Sequence, residues 1–229
     1  MEPSQHLLRG ARVALLAAPL FCYPAFAQEG LAKGDYDFTV FIPYLDSVDE
    51  DFVGGTRVHV DSDVGLGFGF DYFMTDNTTV GGTFTYSQPD VEVSLHVQNP
   101  PPGGSFSLLR GEMEAMGFMG NITHQFGKGK LRPYAFGQLG WIYVDTNIAD
   151  GPPSTGGCWW DPWWGYTCTV YQDTKTSTEF SYGFGVGVRM NLGRTMFLDL
   201  GWIQQWTDWP QAVSPDNYST YRVGLGFHH

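Results

Sequence analysis

The stretch TEFSYGFGVGVRMNL, residues 178–192, alternates between two chemistries along its whole length. Thr178, Phe180, Tyr182, Phe184, Val186, Val188, Met190 and Leu192 share one face of an extended chain, and Glu179, Ser181, Gly183, Gly185, Gly187, Arg189 and Asn191 share the other. A period of two means a strand, and this one is more than twice the roughly five or six residues usual in a soluble sheet. An aliphatic and aromatic face backed by a small, polar or charged one suits a transmembrane β-barrel, with lipid on one side and a crowded lumen on the other.

Composition narrows the alternatives. The 229 residues make one domain or two small ones, and no apolar run of about eighteen residues exists outside the N-terminus, so helical membrane spans are excluded. Alternating strands keep mean hydropathy low, so a barrel still fits. Glycine is abundant, at 30 residues, and aromatics make up 16%, without low-complexity repeats, which favours an all-β membrane protein over a disordered chain. A net charge of −12 excludes nucleic acid as a partner.

At the N-terminus, Arg9 and Arg12 precede an apolar segment over residues 13–21, and Ala25-Phe26-Ala27 supplies an A-x-A cleavage spacing. The expected organisation is a signal peptide over 1–27, a periplasmic leader over 28–35 and an outer-membrane barrel over 36–229. Cys22 leaves with the signal peptide. Cys158 and Cys168 then remain as a pair, expected to form a disulfide in an oxidising periplasm; metal binding by two cysteines without clustered histidines is the weaker alternative.

Alternation defines eight strands, over residues 36–44, 64–74, 79–87, 112–126, 131–146, 178–192, 195–206 and 218–227. In the fifth, Tyr134, Phe136 and Ile142 share a face with Arg132 and Gln138, so Ala135, Leu139, Trp141 and Tyr143 are assigned to lipid. Residues 45–61 lack sustained alternation and read as loop, whereas Val91, Val93 and Leu95 read as an extension of the third strand beyond the membrane. Connections alternate long and short, the asymmetry of long external loops and tight periplasmic turns. An even strand count returns both termini to the periplasm, and closure is required because unpaired edge amides are costly in hydrocarbon.

Three segments, residues 65–77 (GLGFGFDYFMTDN), 133–141 (PYAFGQLGW) and 182–202 (YGFGVGVRMNLGRTMFLDLGW), make the chain resemble the small eight-stranded outer-membrane barrels of the OmpA/OmpX type. The likeness covers about residues 36–227. It implies an up-and-down antiparallel barrel in a Gram-negative outer membrane, surrounded by lipid and lipopolysaccharide, assembled by the barrel assembly machinery and needing no cofactor. Such barrels tend to end on an aromatic residue read by that machinery, which here is Phe227. His228 and His229 follow it and depart from the pattern; either the signal tolerates them or they are not native.

The inner face offers Asp37, Asp71, Arg132, Glu179, Arg189, Asp199 and Arg222 as a lumen charge network. An eight-stranded lumen is just wide enough for its side chains, so opposite charges there are expected to pair. Glu179 should lie near the outside and Arg189 near the periplasm, too far apart to meet, with Asp199 the first partner for Arg189. The network reads as a structural plug or, with exchanging partners, as a gated narrow pore.

Between the cysteines lie Trp159, Trp160, Trp163, Trp164 and Tyr166, rigid amphipathic rings suited to an extracellular ligand or surface, or to packing on the barrel rim. The acidic first loop, with Asp46, Asp49, Glu50, Asp51, Asp61 and Asp63, fits no defined cation spacing and reads as a solvated rim, so no metal site is assigned. Some eight-stranded barrels modify lipid A with a rim histidine. His59 and His96 have Asp61, Asp63 and Ser94 close in sequence, which is no triad geometry, and His124 lies at the wrong end. The expected role is structural or surface interaction without enzymatic activity. The alternative is a narrow OmpW-like channel for small or apolar solutes, with a lipid A-modifying enzyme third.

Overall fold

The computed structural model describes residues 32–52, 55–96, 106–149, 154–163, 165–171, 174–209, 212 and 216–229. The expected signal peptide, the leader over 28–31, the proline-rich residues 100–104 and Trp164 lie outside the described residues. The strands in chain order are β1 (Tyr36–Leu45), β2 (Val48–Asp51), β3 (Arg57–Val60), β4 (Asp63–Val64), β5 (Leu66–Phe73), β6 (Thr78–Ser87), β7 (Asp90–His96) and β8 (Phe106–Gln125). They continue with β9 (Leu131–Ala149), β10 (Ser154–Asp161), β11 (Gly165–Tyr171), β12 (Thr174–Asn191), β13 (Met196–Thr207) and β14 (Asp216–His228).

Eight of these form the barrel wall, in the ring order β1, β5, β6, β8, β9, β12, β13, β14. The ring closes where β14 pairs antiparallel with β1, from Asp37 opposite His228 to Leu45 opposite Thr220. Closure leaves no edge in the hydrocarbon, where an unpaired amide has no water to turn to. The alternation is visible in burial. Along β5, Leu66, Phe68, Phe70 and Tyr72 are exposed while Gly67, Gly69, Asp71 and Phe73 are buried. In β9, Leu139, Trp141 and Tyr143 face outward, and Arg132, Tyr134, Phe136, Gln138 and Ile142 face the lumen.

The lumen-facing glycines make room for large rings. A Cβ at Gly187 would collide with the Tyr134 ring and the Leu200 carbonyl, and one at Gly226 with the ring of Phe197. Two layers of side chains result: Tyr134, Phe136 and Ile203 pack together, and Met119, Ile142 and Val144 pack with Met113, Trp209 and Tyr218.

The external end is more ordered than alternation alone indicates. Residues 45–61, read as loop, contain the β2–β3 hairpin, with Val48 opposite Val60 and Asp51 opposite Arg57. The third wall strand, β6, runs on past the membrane as expected: after a break at Gln88 and Pro89, β7 carries Val91, Val93 and Leu95 along β8 in the same register and pairs with β3 on its other side. Proline has no N–H to continue the ladder. The outer ends of β8 and β9 also exceed the expected bounds, reaching Phe106 and Ala149. At about 3.4 Å per residue they stand far above a membrane that about ten tilted residues cross.

Candidate functional site: lumen cluster and external hairpins

Arg189 lies on β12 near the periplasmic turn, on the same inward face as Gly183, Gly185 and Gly187. Its guanidinium spans the barrel. Nη1 donates to Asp37 of β1 at 2.7 Å, Nη2 to Asp71 of β5 at 3.0 Å, and Nε to Asp199 of β13 at 3.2 Å. In an eight-membered ring β5 is opposite β12, so this one side chain ties facing walls together.

Asp199 is shared. Its Oδ1 accepts from Arg222 Nε at 3.0 Å and from the Tyr134 hydroxyl at 3.0 Å, while Arg222 Nη2 donates to that hydroxyl at 3.1 Å. Asn121 donates to Asp71 at 2.8 Å, and His228 Nδ1 lies 2.6 Å from Asp37. The Arg189 guanidinium sits 4.8 Å from the centre of the Phe197 ring, and that of Arg222 is 4.9 Å from Phe136 and 5.4 Å from Phe41. Asp37 is 0% exposed, Asp199 1% and Arg189 2%, so these charges are compensated by one another and by hydrogen bonds rather than by water.

Five of the seven residues singled out for the lumen, Asp37, Asp71, Arg189, Asp199 and Arg222, therefore converge. Arg132 and Glu179 stand outside the cluster. Arg132 is buried beside Arg189 in the β9–β12 register and donates to the Gly129 carbonyl at 3.4 Å, and Glu179, buried at the other end of β12, accepts from the Ser177 hydroxyl. Tyr134 and His228 are members that residue chemistry alone did not select. The inward parity of Tyr134 and the continued alternation after the outward Phe227 are the signals that could have found them.

At the external end, His59 lies between two carboxylates, with Nδ1 at 2.8 Å from Asp49 and Nε2 at 3.2 Å from Asp61. The hydrogen bond that His59 donates to Asp49 holds its imidazole above the ordinary range, and the Arg57 guanidinium at 2.7 Å holds the Asp51 carboxyl below its own. Both ring nitrogens of His59 face carboxylates, and Ser94 sits opposite Arg57 instead, so these residues do not assemble a nucleophile and base. His124 Nδ1 meets the Thr78 hydroxyl at 3.0 Å near the opposite end. Among the described residues no group of three or more His, Cys, Asp or Glu side chains is arranged to hold a metal ion.

The hairpin β10–β11 is a two-stranded sheet of its own. Its register sets Cys158 opposite Cys168, Trp159 opposite Thr167 and Trp160 opposite Tyr166. Trp160 is 70% exposed and Trp163, at the tip, 89%.

A closed eight-stranded antiparallel barrel with an apolar outer band and a charged lumen defines a β-barrel of the Gram-negative outer membrane. The chain belongs to the outer membrane protein beta-barrel domain family, whose profile matches residues 13–228. No curated protein sequence matches it. Among solved structures it is similar to neisserial surface protein A (NspA), with a TM-score of 0.51 at 10% identity over 85% of this chain and 97% of that one. It is also similar to Ail, the attachment invasion locus protein of Yersinia pestis, crystallised with the heparin analogue sucrose octasulfate, with a TM-score of 0.50 at 12% identity over 86% of this chain and 99% of that one. At these identities the likeness is one of fold.

Proposed function

We propose that this barrel is a non-enzymatic surface-interaction protein whose binding element is the hairpin β10–β11, closed by a Cys158–Cys168 disulfide. The observation that carries this reading is the exposure of Trp160 and Trp163 on a sheet separate from the wall. Rings kept only to pack on the rim would be covered. Directly opposed residues of an antiparallel ladder have Cα atoms about 4.5–5.5 Å apart, inside the span that a disulfide bridges. A closed hairpin holds its aromatic tip in place before binding, which lowers the ordering cost.

The partner presents apolar or aromatic surface. Ail was crystallised with a sulfated sugar, but here the external hairpin β2–β3 exposes Asp49 and Asp51, which repel polyanions. The Arg189 cluster across the lumen favours a structural plug over the narrow channel. Both parts are testable. Cells displaying the Trp160→Ser/Trp163→Ser double variant should lose adhesion to alkyl-coated surfaces and to epithelial monolayers while the barrel keeps its heat-modifiable gel migration; unchanged adhesion would refute the hairpin's role. Refolded protein should give no discrete conductance steps in a planar bilayer, and regular steps would refute the plug.

A further inference from the structure

Beyond the cluster, toward the external end, the lumen widens into a predominantly apolar cavity of about 120 Å³. The space follows from an asymmetry of side-chain size. On one wall the inward positions are small, with Thr83, Thr85 and Ser87 on β6 and Ala115 and Gly117 on β8. Elsewhere they are large, with Met119 on β8 and Ile142 and Val144 on β9, and Met113, Trp209 and Tyr218 pack against these three. The small inward residues leave room beside the large ones, and the lumen is left unfilled at this level.

We propose that this cavity is a dead-end binding chamber for a neutral, monocyclic aromatic molecule. Size sets the first limit, since apolar protein cavities of about 150 Å³ stay dry and take up benzene. Charge sets the second. Among the described residues the one charged residue lining the chamber is Arg222, and its guanidinium is committed to Asp199 and Tyr134 and flanked by Phe41 and Phe136. An anion would compete with Asp199 for it, and a cation would meet it directly, so a neutral guest is favoured. Wall chemistry sets the third, because thioethers and aromatic rings attract aromatic guests, and Met113, Met119, Phe41 and Trp209 all line the space. Entry is from the external end, because the Arg189 cluster fills the lumen toward the periplasm. The site therefore holds its guest rather than passing it through. This inference stands independently of the hairpin's role in adhesion.

The test is a benzene titration of the full-length barrel in lipid nanodiscs, followed through the ¹³C-labelled methionine methyls. Met113 and Met119 report on the chamber, whereas Met74, exposed on the outside, and Met116, on the outward face of β8, report on benzene dissolved in lipid. Saturable ring-current shifts at Met113 and Met119, with only a linear drift at Met74 and Met116, are expected. Parallel, non-saturating shifts at all four, or none at Met113 and Met119, would overturn the proposal. Ala115→Phe, which fills the chamber, should abolish the saturable shifts in a barrel that still shows heat-modifiable migration; if they persist in that folded variant, the site is misassigned. The wild-type titration decides by itself if the variant does not fold.

Discussion

Arg189 and Asp37 lie 152 positions apart in sequence and on strands that do not pair, yet Nη1 of the arginine meets the aspartate at 2.7 Å across the lumen, toward the periplasmic end. The contact exists because β14 returns to pair with β1, which brings the first strand of the barrel to the far side of the lumen from β9. It belongs to a cluster in which each carboxylate of Asp37, Asp71 and Asp199 accepts from Arg189.

Removing the arginine should therefore be severe. Arg189→Leu leaves three carboxylates facing one another in a dry lumen, and a cost of about 3–5 kcal/mol is expected. Arg189→Lys should recover only part of it, because one ammonium cannot reproduce a fork that reaches three partners. Urea unfolding in lipid vesicles measures both; an unchanged midpoint for Arg189→Leu would mean that the cluster holds nothing together.

His228 gives a milder prediction. Its ring stacks on Phe197 at 4.5 Å while Nδ1 meets Asp37 and Nε2 meets Asn191 at 3.3 Å. His228→Ala should cost about 1–3 kcal/mol by leaving a buried carboxylate short of a partner. His228→Phe keeps the stack and should lose most of the same stability, which separates the polar contact from the packing.

Two glycines with opposite orientations should respond oppositely. Gly187→Val drives a branched side chain into Tyr134 and the Leu200 carbonyl, so failure to refold, or a loss of about 3 kcal/mol or more, is expected. Gly137 points outward, and a Cβ there meets nothing within 4 Å. Gly137→Ala should stay within about 0.5 kcal/mol of the parent in the same unfolding assay.

The β2–β3 hairpin should respond to pH through His59. Asp49 raises the folded-state pKa of this histidine above the ordinary 6.5, so protonation favours the folded hairpin. That contribution is fully present below the ordinary value and disappears as pH rises through the raised one. Amide exchange across Val58 and Val60 should accelerate over that window. In an NMR titration, Asp49→Asn should move the His59 midpoint back down toward 6.5; an unmoved midpoint would show that Asp49 is not the cause.

Alternation of side-chain chemistry by itself determined the strands, the face that each turns to lipid and the closed topology, because a barrel in hydrocarbon obeys one constraint at every residue: apolar out, small or polar in. The inward parity of Asp71, Arg189, Asp199 and Arg222 was legible for that reason, and Asp199 could be placed near Arg189 because the connection between their two strands is short. Tertiary structure alone decided that Asp37 and Asp71 also converge on that arginine, that Arg132 and Glu179 do not, and that Tyr134 and His228 join in, because those contacts depend on ring closure and on which strands face each other across the lumen. The external hairpin was equally hidden. β2 and β3 pair with each other, and β3 with β7, above the bilayer, where no lipid imposes an apolar face and cross-strand partners rather than alternation decide the structure. The chamber was the least legible feature of all, since a cavity depends on how side chains from many strands fill one space, and no single stretch of sequence contains them all.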